Sequence, residues 1–226
     1  MTRAEAVIVL QLLLPMRNNN WVKMEKAVLL DLGGVVLDID FHRVFASWAK
    51  DSGVDKSLFY DQWSLDDAYK QHEVGALSFQ EYSAHLSRSL GVSMSDACWQ
   101  KGWNALWVGV YGSVIALLPQ LTQQYTLCAF SNTNATHAAS FKHHFGTELS
   151  HFETLYLSQE VGQRKPDTQA FLTVCERMGY APKDVVFLDD SQENVTGAKA
   201  AGLEAYLTRG DAQVASQLKT LLEQRA

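Results

Sequence analysis

The chain has 226 residues, of which 47% are hydrophobic and 19% are charged, so it is long enough for one full globular domain with a smaller insertion. Its formal net charge is −6 and its pI is near 5.6. This balance gives no electrostatic reason to bind nucleic acid or an anionic membrane surface, and neither is predicted as a partner. An anionic substrate needs a local cationic site, because the charge of the whole chain repels it.

The three cysteines, Cys98, Cys128 and Cys175, are widely spaced and odd in number. They form no CxxC pair and no spacing typical of zinc ligands, so the sequence predicts neither a disulfide framework nor a zinc site. A reducing cytoplasm is the predicted location. The residues indicate no oligomeric state.

The N-terminus carries a short apolar run, residues 6–16, that follows Arg3. The run is too short to span a bilayer, and no clear small-residue cleavage site follows it. Three asparagines interrupt the pattern, and a globular pattern begins at Met24. We interpret residues 1–23 as an N-terminal extension rather than as a secretion signal.

Short apolar runs of strand length recur along the rest of the chain and alternate with helical patterns. The alternation predicts βαβ units in a parallel sheet, the α/β class of Rossmann-like folds. Several runs are apolar at nearly every position, which is typical of strands covered on both faces. The predicted strands are Ala27–Asp31, Tyr125–Phe130, Thr154–Leu157, Val185–Asp189 and Glu204–Leu207.

Two helices are predicted between the later strands. One has Pro166 in its first turn and ends at Gly179, and the other ends before Gly202. Residues 41–109 differ, because they hold no convincing strand and five of the six tryptophans. Within them, residues 78–81 form a capping box that opens a helix.

This region is therefore predicted to be a helical insertion. It would separate the two parts of the core, residues 24–40 and 110–226. Three of its aromatic side chains are candidates to line a substrate pocket or simply to form the core of the insertion: Trp63, Tyr69 and Trp103.

The first of four polar clusters is Asp31, which leaves an apolar strand and enters a turn that contains Gly33 and Gly34. Its carboxylate is placed to attack phosphorus, and the glycines let backbone groups approach a phosphate or a metal closely. An ordinary strand-to-turn transition has the same residues.

The second and third clusters are weaker signals. Residues 130–134 place Ser131 and Asn132 at the end of a strand, where they suit an anion cradle or an ordinary helix cap. Residues 162–167 place Lys165 before a proline, where it can neutralise phosphate charge or simply be solvated.

The fourth cluster is the adjacent pair Asp189 and Asp190 after a run of four apolar residues. Such acids are costly to bury unless they are paired or bind a metal, and oxygen ligands favour Mg²⁺. The alternative is a surface turn in which one aspartate caps a helix.

Taken in order, Asp31, Ser131, Lys165 and Asp190 are separated by 100, 34 and 25 residues. This order and its contexts resemble the four motifs of the haloacid dehalogenase (HAD) superfamily, from Met24 almost to the end of the chain. The insertion is similar to the helical cap of that superfamily.

The resemblance implies a Mg²⁺-dependent phosphatase with Asp31 as the nucleophile that forms an aspartyl-phosphate and Lys165 as its charge partner. It implies that Mg²⁺ is held by Asp31, Asp190 and the Gly33 carbonyl, with Asp189 beside them. The implied phosphate-binding groups are Ser131, Asn132 and the Gly34 amide.

The sequence departs from the superfamily at Gly33, where most HAD phosphatases carry a second aspartate that acts as general acid and base. Such a group is typically worth about 10²–10⁴-fold in rate. His72 or Glu73 in the insertion is a candidate to contact substrate and replace it, although the residues alone favour His72 as a surface histidine at a helix end.

Residues 31–41 and 157–160, with His72 and Glu73, resemble a bacterial branch related to α-D-glucose-1-phosphate phosphatase. Members of that branch also have glycine at the position of Gly33, and a sugar phosphate is the substrate that this resemblance implies.

Three functions follow from these observations. The first is hydrolysis of a small phosphorylated metabolite with Mg²⁺ as cofactor. The second is a non-catalytic HAD-like protein that binds a phosphorylated ligand or a partner. The third is a 2-haloacid dehalogenase, which needs no metal and would leave the Asp189–Asp190 pair unexplained.

Overall fold

The structure is a computed structural model, and it describes residues 24–224. The predicted N-terminal extension, residues 1–23, lies outside the described residues. None of the helices between residues 24 and 224 is both long and apolar enough to cross a membrane.

The centre of the fold is a sheet of five parallel strands in the order β5-β4-β1-β6-β7. A separate antiparallel ribbon is formed by β2 and β3. The parallel order confirms the predicted Rossmann-like α/β core, and each predicted strand agrees with its observed counterpart to within one residue. The strands are β1 (Ala27–Leu30), β2 (Leu37–Ile39), β3 (Trp107–Val110), β4 (Thr126–Ser131), β5 (Thr154–Leu157), β6 (Val185–Asp189) and β7 (Glu204–Leu207).

Five helices lie between the two strands of the ribbon, and seven follow it. The first group is α1 (Phe41–Ser52), α2 (Ser57–Gln62), α3 (Asp67–Glu73), α4 (Phe79–Leu90) and α5 (Asp96–Trp103). The second group is α6 (Gly112–Ile115), α7 (Leu118–Gln124), α8 (Ala135–Leu149), α9 (Ser158–Val161), α10 (Thr168–Met178), α11 (Gln192–Ala200) and α12 (Gly210–Glu223).

Both faces of the sheet are covered, which explains why its strands are apolar at nearly every position. On β1, Val28 and Leu30 pack into one cluster with residues of α7 and α12. Ala27 and Leu29 point the other way, into a cluster with residues of α10 and α11. Both faces of the central strands are therefore shielded from water. The polar groups at the ends of these strands lie at one edge of the sheet.

The helices α1–α5 have an apolar cluster of their own, built around the fully buried Trp48, Trp99 and Trp103. The capping box at the start of α4 is confirmed, since Ser78 and Glu81 each bond to the backbone of the other. The division of the chain at residues 40/41 and 109/110 stays a prediction.

Two details of the sequence-based prediction are wrong. Residues 41–109 do contain strand structure, because most of β3 falls within them and pairs with β2. None of its four residues is fully buried, so it forms no apolar run of the kind that marks the central strands. The helix after Lys165 does not contain Pro166, because α10 begins at Thr168 and the side chain of Asp167 caps it.

Candidate active site

The polar clusters meet at the carboxyl edge of the three central strands. Asp31 follows β1, Ser131 ends β4, and Asp189 ends β6. Since β4 and β6 are the two neighbours of β1, these side chains share one edge of the sheet, which is where ligands bind in open α/β sheets.

Lys165 lies between two carboxylates at this edge. Its ammonium nitrogen Nζ is 2.7 Å from Asp31 Oδ1 and 2.6 Å from Asp189 Oδ2. Burial alone would lower the pKa of this lysine, whose side chain is 1% exposed, but the attraction of the two carboxylates outweighs burial and raises the pKa. Lys165 is therefore a permanent positive charge inside the site.

Asp189 and Asp190 have different surroundings although they are adjacent. Asp189 is fully buried and also accepts hydrogen bonds from the backbone N–H of Ser191 at 2.8 Å and from the Asn194 side chain at 3.0 Å. Asp190 is only half-buried and makes no ion pair with Lys165 among the residues described. Asp189 thus orients Lys165, whereas Asp190 keeps its carboxylate available for a ligand.

Asn132 fixes the backbone that carries the lysine. Its side-chain oxygen accepts from the Lys165 N–H at 2.9 Å, and its side-chain nitrogen donates to the Lys165 carbonyl at 2.9 Å. The side-chain amide of Asn132, predicted to hold phosphate, is therefore engaged in holding the lysine loop. Ser131, the other side chain predicted to hold phosphate, is buried at the end of β4.

The three aspartates have the donor set that a divalent cation needs. Asp31, Asp189 and Asp190 each offer an oxygen, and these oxygens lie within 4.8 Å of one another. Lys165 balances only one of the three charges. Burial, and then repulsion by Asp189, raises the pKa of Asp190, and burial raises that of Asp31 to about 7. A hard cation with oxygen ligands, such as Mg²⁺, would relieve this repulsion, so the residues fit the implied metal.

Gly34 lies against this cluster and could not carry a side chain. Its φ is +77°, and a Cβ atom there would lie 2.3 Å from Asp190 Oδ2. Its N–H, which the resemblance assigns to the phosphate, donates to the Leu37 carbonyl at 2.8 Å. In this structure Gly34 therefore makes room for Asp190 and closes the turn after β1.

We expect Gly34→Ala to weaken Mg²⁺ binding about tenfold or more, because the methyl group displaces the Asp190 carboxylate. Gly53→Ala is the matched control, since Gly53 has a φ of +76° and nothing within 4 Å of its Cβ position. Both variants carry the cost of a left-handed alanine. Calorimetric titration with Mg²⁺ separates the two, and equal affinities in both variants would contradict the prediction.

The interpretation of His72 as a surface histidine is wrong. Its side chain is buried, stacks on Tyr82, and its Nδ1 donates to the Leu77 carbonyl at 2.8 Å. Its other ring nitrogen makes no hydrogen bond to any residue that the structure describes. Because α4 covers the end of α3, burial lowers the pKa of this histidine.

Glu73 is buried as well, and it connects the insertion to the loop that carries Lys165. Its carboxylate accepts from Arg164 Nε at 2.8 Å. Its backbone carbonyl accepts from Ser158 Oγ at 2.6 Å. Sequence reasoning missed Arg164 and Ser158, although the position of Arg164 directly before Lys165 was an available signal.

A cavity of about 70 Å³ opens between this edge of the sheet and the insertion. Ser131, Asn132 and Gly33 line it from the core, and Tyr69 lines it from α3. Trp63 and Trp103, the other two aromatic candidates, are not among its lining residues. The cavity adjoins the residues that follow Asp31 and is the candidate substrate pocket.

Comparison with known proteins places this geometry in a family. Residues 25–202 match the haloacid dehalogenase-like hydrolases. A D-ribitol-5-phosphate phosphatase of Bacteroides thetaiotaomicron is 24% identical over 204 residues, which are 88% of this chain and 99% of that protein.

Solved structures agree with this match. A HAD family enzyme of B. thetaiotaomicron, in complex with magnesium and inorganic phosphate, superposes with a TM-score of 0.71 at 27% identity, covering 82% of this chain and 94% of that one. An L-2-haloacid dehalogenase of Xanthobacter autotrophicus shares the fold, with a TM-score of 0.62 at 18% identity and coverage of 82% and 78%.

The family match runs from just before β1 to the turn before β7, so it includes every strand end that carries a carboxylate of the site. The chain belongs to the haloacid dehalogenase-like hydrolase family.

Proposed function

We propose that the protein is a Mg²⁺-dependent phosphatase that hydrolyses a small phosphate monoester, with a sugar phosphate as the first candidate. The observation that carries the proposal is the placement of Lys165 between Asp31 and Asp189, within a cluster of three carboxylates that fits a divalent cation. Among the relatives, a D-ribitol-5-phosphate phosphatase supports a phosphorylated polyol or sugar.

Each residue of the site has a role in this reaction. Asp31 attacks phosphorus and forms an aspartyl-phosphate, which water then hydrolyses. Lys165 attracts the phosphoryl oxygens, and the Ser131 hydroxyl donates to one of them. Asp189 holds Lys165 in place. Mg²⁺, held by Asp31, Asp190 and the Gly33 carbonyl, would supply positive charge opposite the phosphate.

Two other functions were open from the sequence. A dehalogenase needs no metal. Without a metal, nothing would offset the repulsion between the half-buried Asp190 carboxylate and the carboxylates of Asp31 and Asp189. A non-catalytic phosphate-binding protein would have the same site but no turnover. The narrower resemblance to the α-D-glucose-1-phosphate phosphatase branch stays a prediction.

The cytoplasm remains the predicted location. Cys98, Cys128 and Cys175 are all free, as a reducing compartment would keep them. A small phosphorylated metabolite remains the predicted partner.

The test is phosphate release from glucose 1-phosphate, glucose 6-phosphate and ribitol 5-phosphate, with Mg²⁺ and with a chelator. We expect release that requires Mg²⁺ and that disappears in Asp31→Asn. If neither protein releases phosphate from any ester, while both bind inorganic phosphate, the phosphatase proposal is wrong and the non-catalytic function takes its place.

A further inference from the structure

A shielded ion pair joins the insertion to the loop that carries Lys165. Glu73 ends α3, and its carboxylate accepts from Arg164 Nε at 2.8 Å. The side chain of Glu73 is 4% exposed and that of Arg164 is 24% exposed. Arg164 directly precedes Lys165 in the loop between α9 and α10. Removing one partner of such a pair is costly, because the other charge is left without its counter-charge.

The backbone of Glu73 reaches the same loop by a second route. Its carbonyl accepts from Ser158 Oγ at 2.6 Å, and Ser158 Oγ accepts in turn from the Thr133 N–H at 2.8 Å. Thr133 follows Asn132, whose side-chain amide bonds to the N–H and to the carbonyl of Lys165, each at 2.9 Å. The end of α3 is therefore connected to the lysine by a side-chain route and by a backbone route.

The turn after α3 lies directly against the core. Gly75 has a φ of +75°, and a Cβ atom there would lie 2.9 Å from the carbonyl oxygen of Gln159. Gln159 follows Ser158 in α9, so this close approach lies beside the hydrogen bond from Ser158 to Glu73. The insertion thus meets the core at the point where Glu73 ends its helix.

Glu73 is placed to act through Arg164 rather than on a substrate. Among the described residues, those that line the cavity do not include Glu73, and its carboxylate is already paired. Tyr69, one turn earlier on the same side of α3, lines the cavity instead. One helix therefore supplies both a part of the cavity wall and a contact to the loop of the lysine.

We propose that Glu73 is a positioning residue for Lys165: through Arg164 and Ser158, the insertion holds the loop that places this lysine between its two carboxylates. The inference rests on the proposed phosphatase function, in which Lys165 attracts the phosphoryl oxygens. A displacement of about 1 Å in a reacting group can cost about 100-fold in rate, even when the substitution lies away from the chemistry. We therefore expect Glu73 to affect the rate without touching the substrate.

The test is the exchange of oxygen between inorganic phosphate and water, which involves no leaving group and leaves the cavity to water. The Asp31 carboxylate and dihydrogen phosphate give the aspartyl-phosphate and one molecule of water. A bond forms between a carboxylate oxygen and phosphorus, the bond from phosphorus to a hydroxyl oxygen breaks, and that oxygen departs with the proton of the second hydroxyl. Attack by solvent water reverses the step and replaces one phosphate oxygen. Mass spectrometry of ¹⁸O-labelled phosphate in the presence of Mg²⁺ measures the rate.

We expect Glu73→Gln to slow this exchange about tenfold or more, because the loop of Lys165 loses one of its two connections to the insertion. Glu160→Gln is the matched control and should exchange at the wild-type rate. Glu160 is also an ion-paired glutamate, but it lies 3.5 Å from Lys142 and its side chain is 54% exposed. Since no leaving group takes part, the result does not depend on how Tyr69 and the cavity wall fit one. Exchange at the wild-type rate in Glu73→Gln would overturn the inference.

A positioning role and a purely structural role differ in the number of intact sites. Calorimetric titration with Mg²⁺ counts them, because the cation binds to the folded cluster of carboxylates. We expect Glu73→Gln to bind as many Mg²⁺ ions per chain as the wild type, so that the lost rate is a loss at each folded site. A number of sites that falls in proportion to the rate would show that Glu73 is needed for folding, which would contradict a positioning role.

Variants of Arg164 test the same contact from the core side, where the side chain is less buried. Arg164→Met should slow the exchange as Glu73→Gln does, and the double variant should be no slower than the slower single variant, because both remove one interaction. Arg164→Lys keeps a positive charge opposite Glu73 and should recover part of the rate. Losses that multiply in the double variant, or equal rates in Arg164→Lys and Arg164→Met, would contradict the inference.

The outcomes also separate this inference from the proposed function. A wild-type protein that neither exchanges phosphate oxygen nor releases phosphate from any ester would contradict the phosphatase proposal itself. Exchange that requires Asp31 and Mg²⁺ but is equally fast in Glu73→Gln would leave the phosphatase intact and overturn only the role of Glu73.

Discussion

Replacing Asp31 with asparagine is expected to lower phosphate release by more than about 10⁴-fold, because the amide cannot form the aspartyl-phosphate. The same variant should be no less stable than the wild type in metal-free buffer. Burial raises the pKa of the Asp31 carboxyl to about 7, and removing this carboxylate also relieves its repulsion with Asp189 and Asp190. Steady-state kinetics and urea denaturation measure the two effects separately.

The control for this prediction is Asp61→Asn, which makes the same chemical change at an exposed position in α2. We expect its activity and its free energy of unfolding to match the wild type. Loss of activity in Asp31→Asn together with a large loss of stability would mean that the residue is needed for folding, and the assignment as nucleophile would lose its support.

Replacing Lys165 with methionine is expected to lower the free energy of unfolding by about 3–5 kcal/mol, because two buried carboxylates lose their common counter-charge. Lys165 Nζ lies within 2.7 Å of both Asp31 and Asp189, and its side chain is 1% exposed. Activity should be lost as well, since residues 24–224 place no other cation between the two aspartates. Urea denaturation in metal-free buffer measures the change.

Lys142→Met is the control for the lysine. Its partner Glu160 is 3.5 Å away, and the two side chains are 48% and 54% exposed, so the change should cost about 0–1 kcal/mol. Mg²⁺ should stabilise Lys165→Met more than it stabilises the wild type, because the cation then supplies the positive charge that Lys165 no longer places between Asp31 and Asp189. Equal stabilisation would show that Mg²⁺ does not bind at this cluster.

The strands and their chemistry could be predicted because each depends on local residues. The runs that became β1, β4 and β6 are apolar at nearly every position, and such runs form strands that are covered on both faces. The polar residues at their ends then had to meet, since the ends of parallel strands share one edge. Asp31, Ser131 and Asp190 were identified on that basis and by resemblance, whereas Lys165, which lies in the loop before α10, was identified by its place before a proline and by resemblance.

The second strand pair was missed for a physical reason. β2 is three residues long and β3 is four, and both are only partly buried, so neither has a distinctive pattern. Their pairing joins residues that are about seventy positions apart in the chain. A ribbon of this kind is stabilised by its position between the sheet and the insertion.

The contacts of two polar side chains could not be predicted from the residues beside them either. From the sequence, His72 looked like a surface residue at a helix end, but α4 folds back over it and buries it. Asn132 was expected to face the phosphate, but its side chain holds the backbone of Lys165. The partner of Asn132 lies 33 residues away in the chain, and His72 is buried by the packing of the next helix, so neither contact follows from the residues beside it.

By itself, the sequence determined the α/β class, the order of the strands along the chain and the acidic residues at or just after the strand ends, because periodicity and composition act over a few residues. The tertiary structure alone decided which of two adjacent aspartates is sealed against Lys165, that Glu73 reaches Arg164, and that Ile39 fills the space beside Gly33. These contacts join distant parts of the chain, and packing in three dimensions sets them.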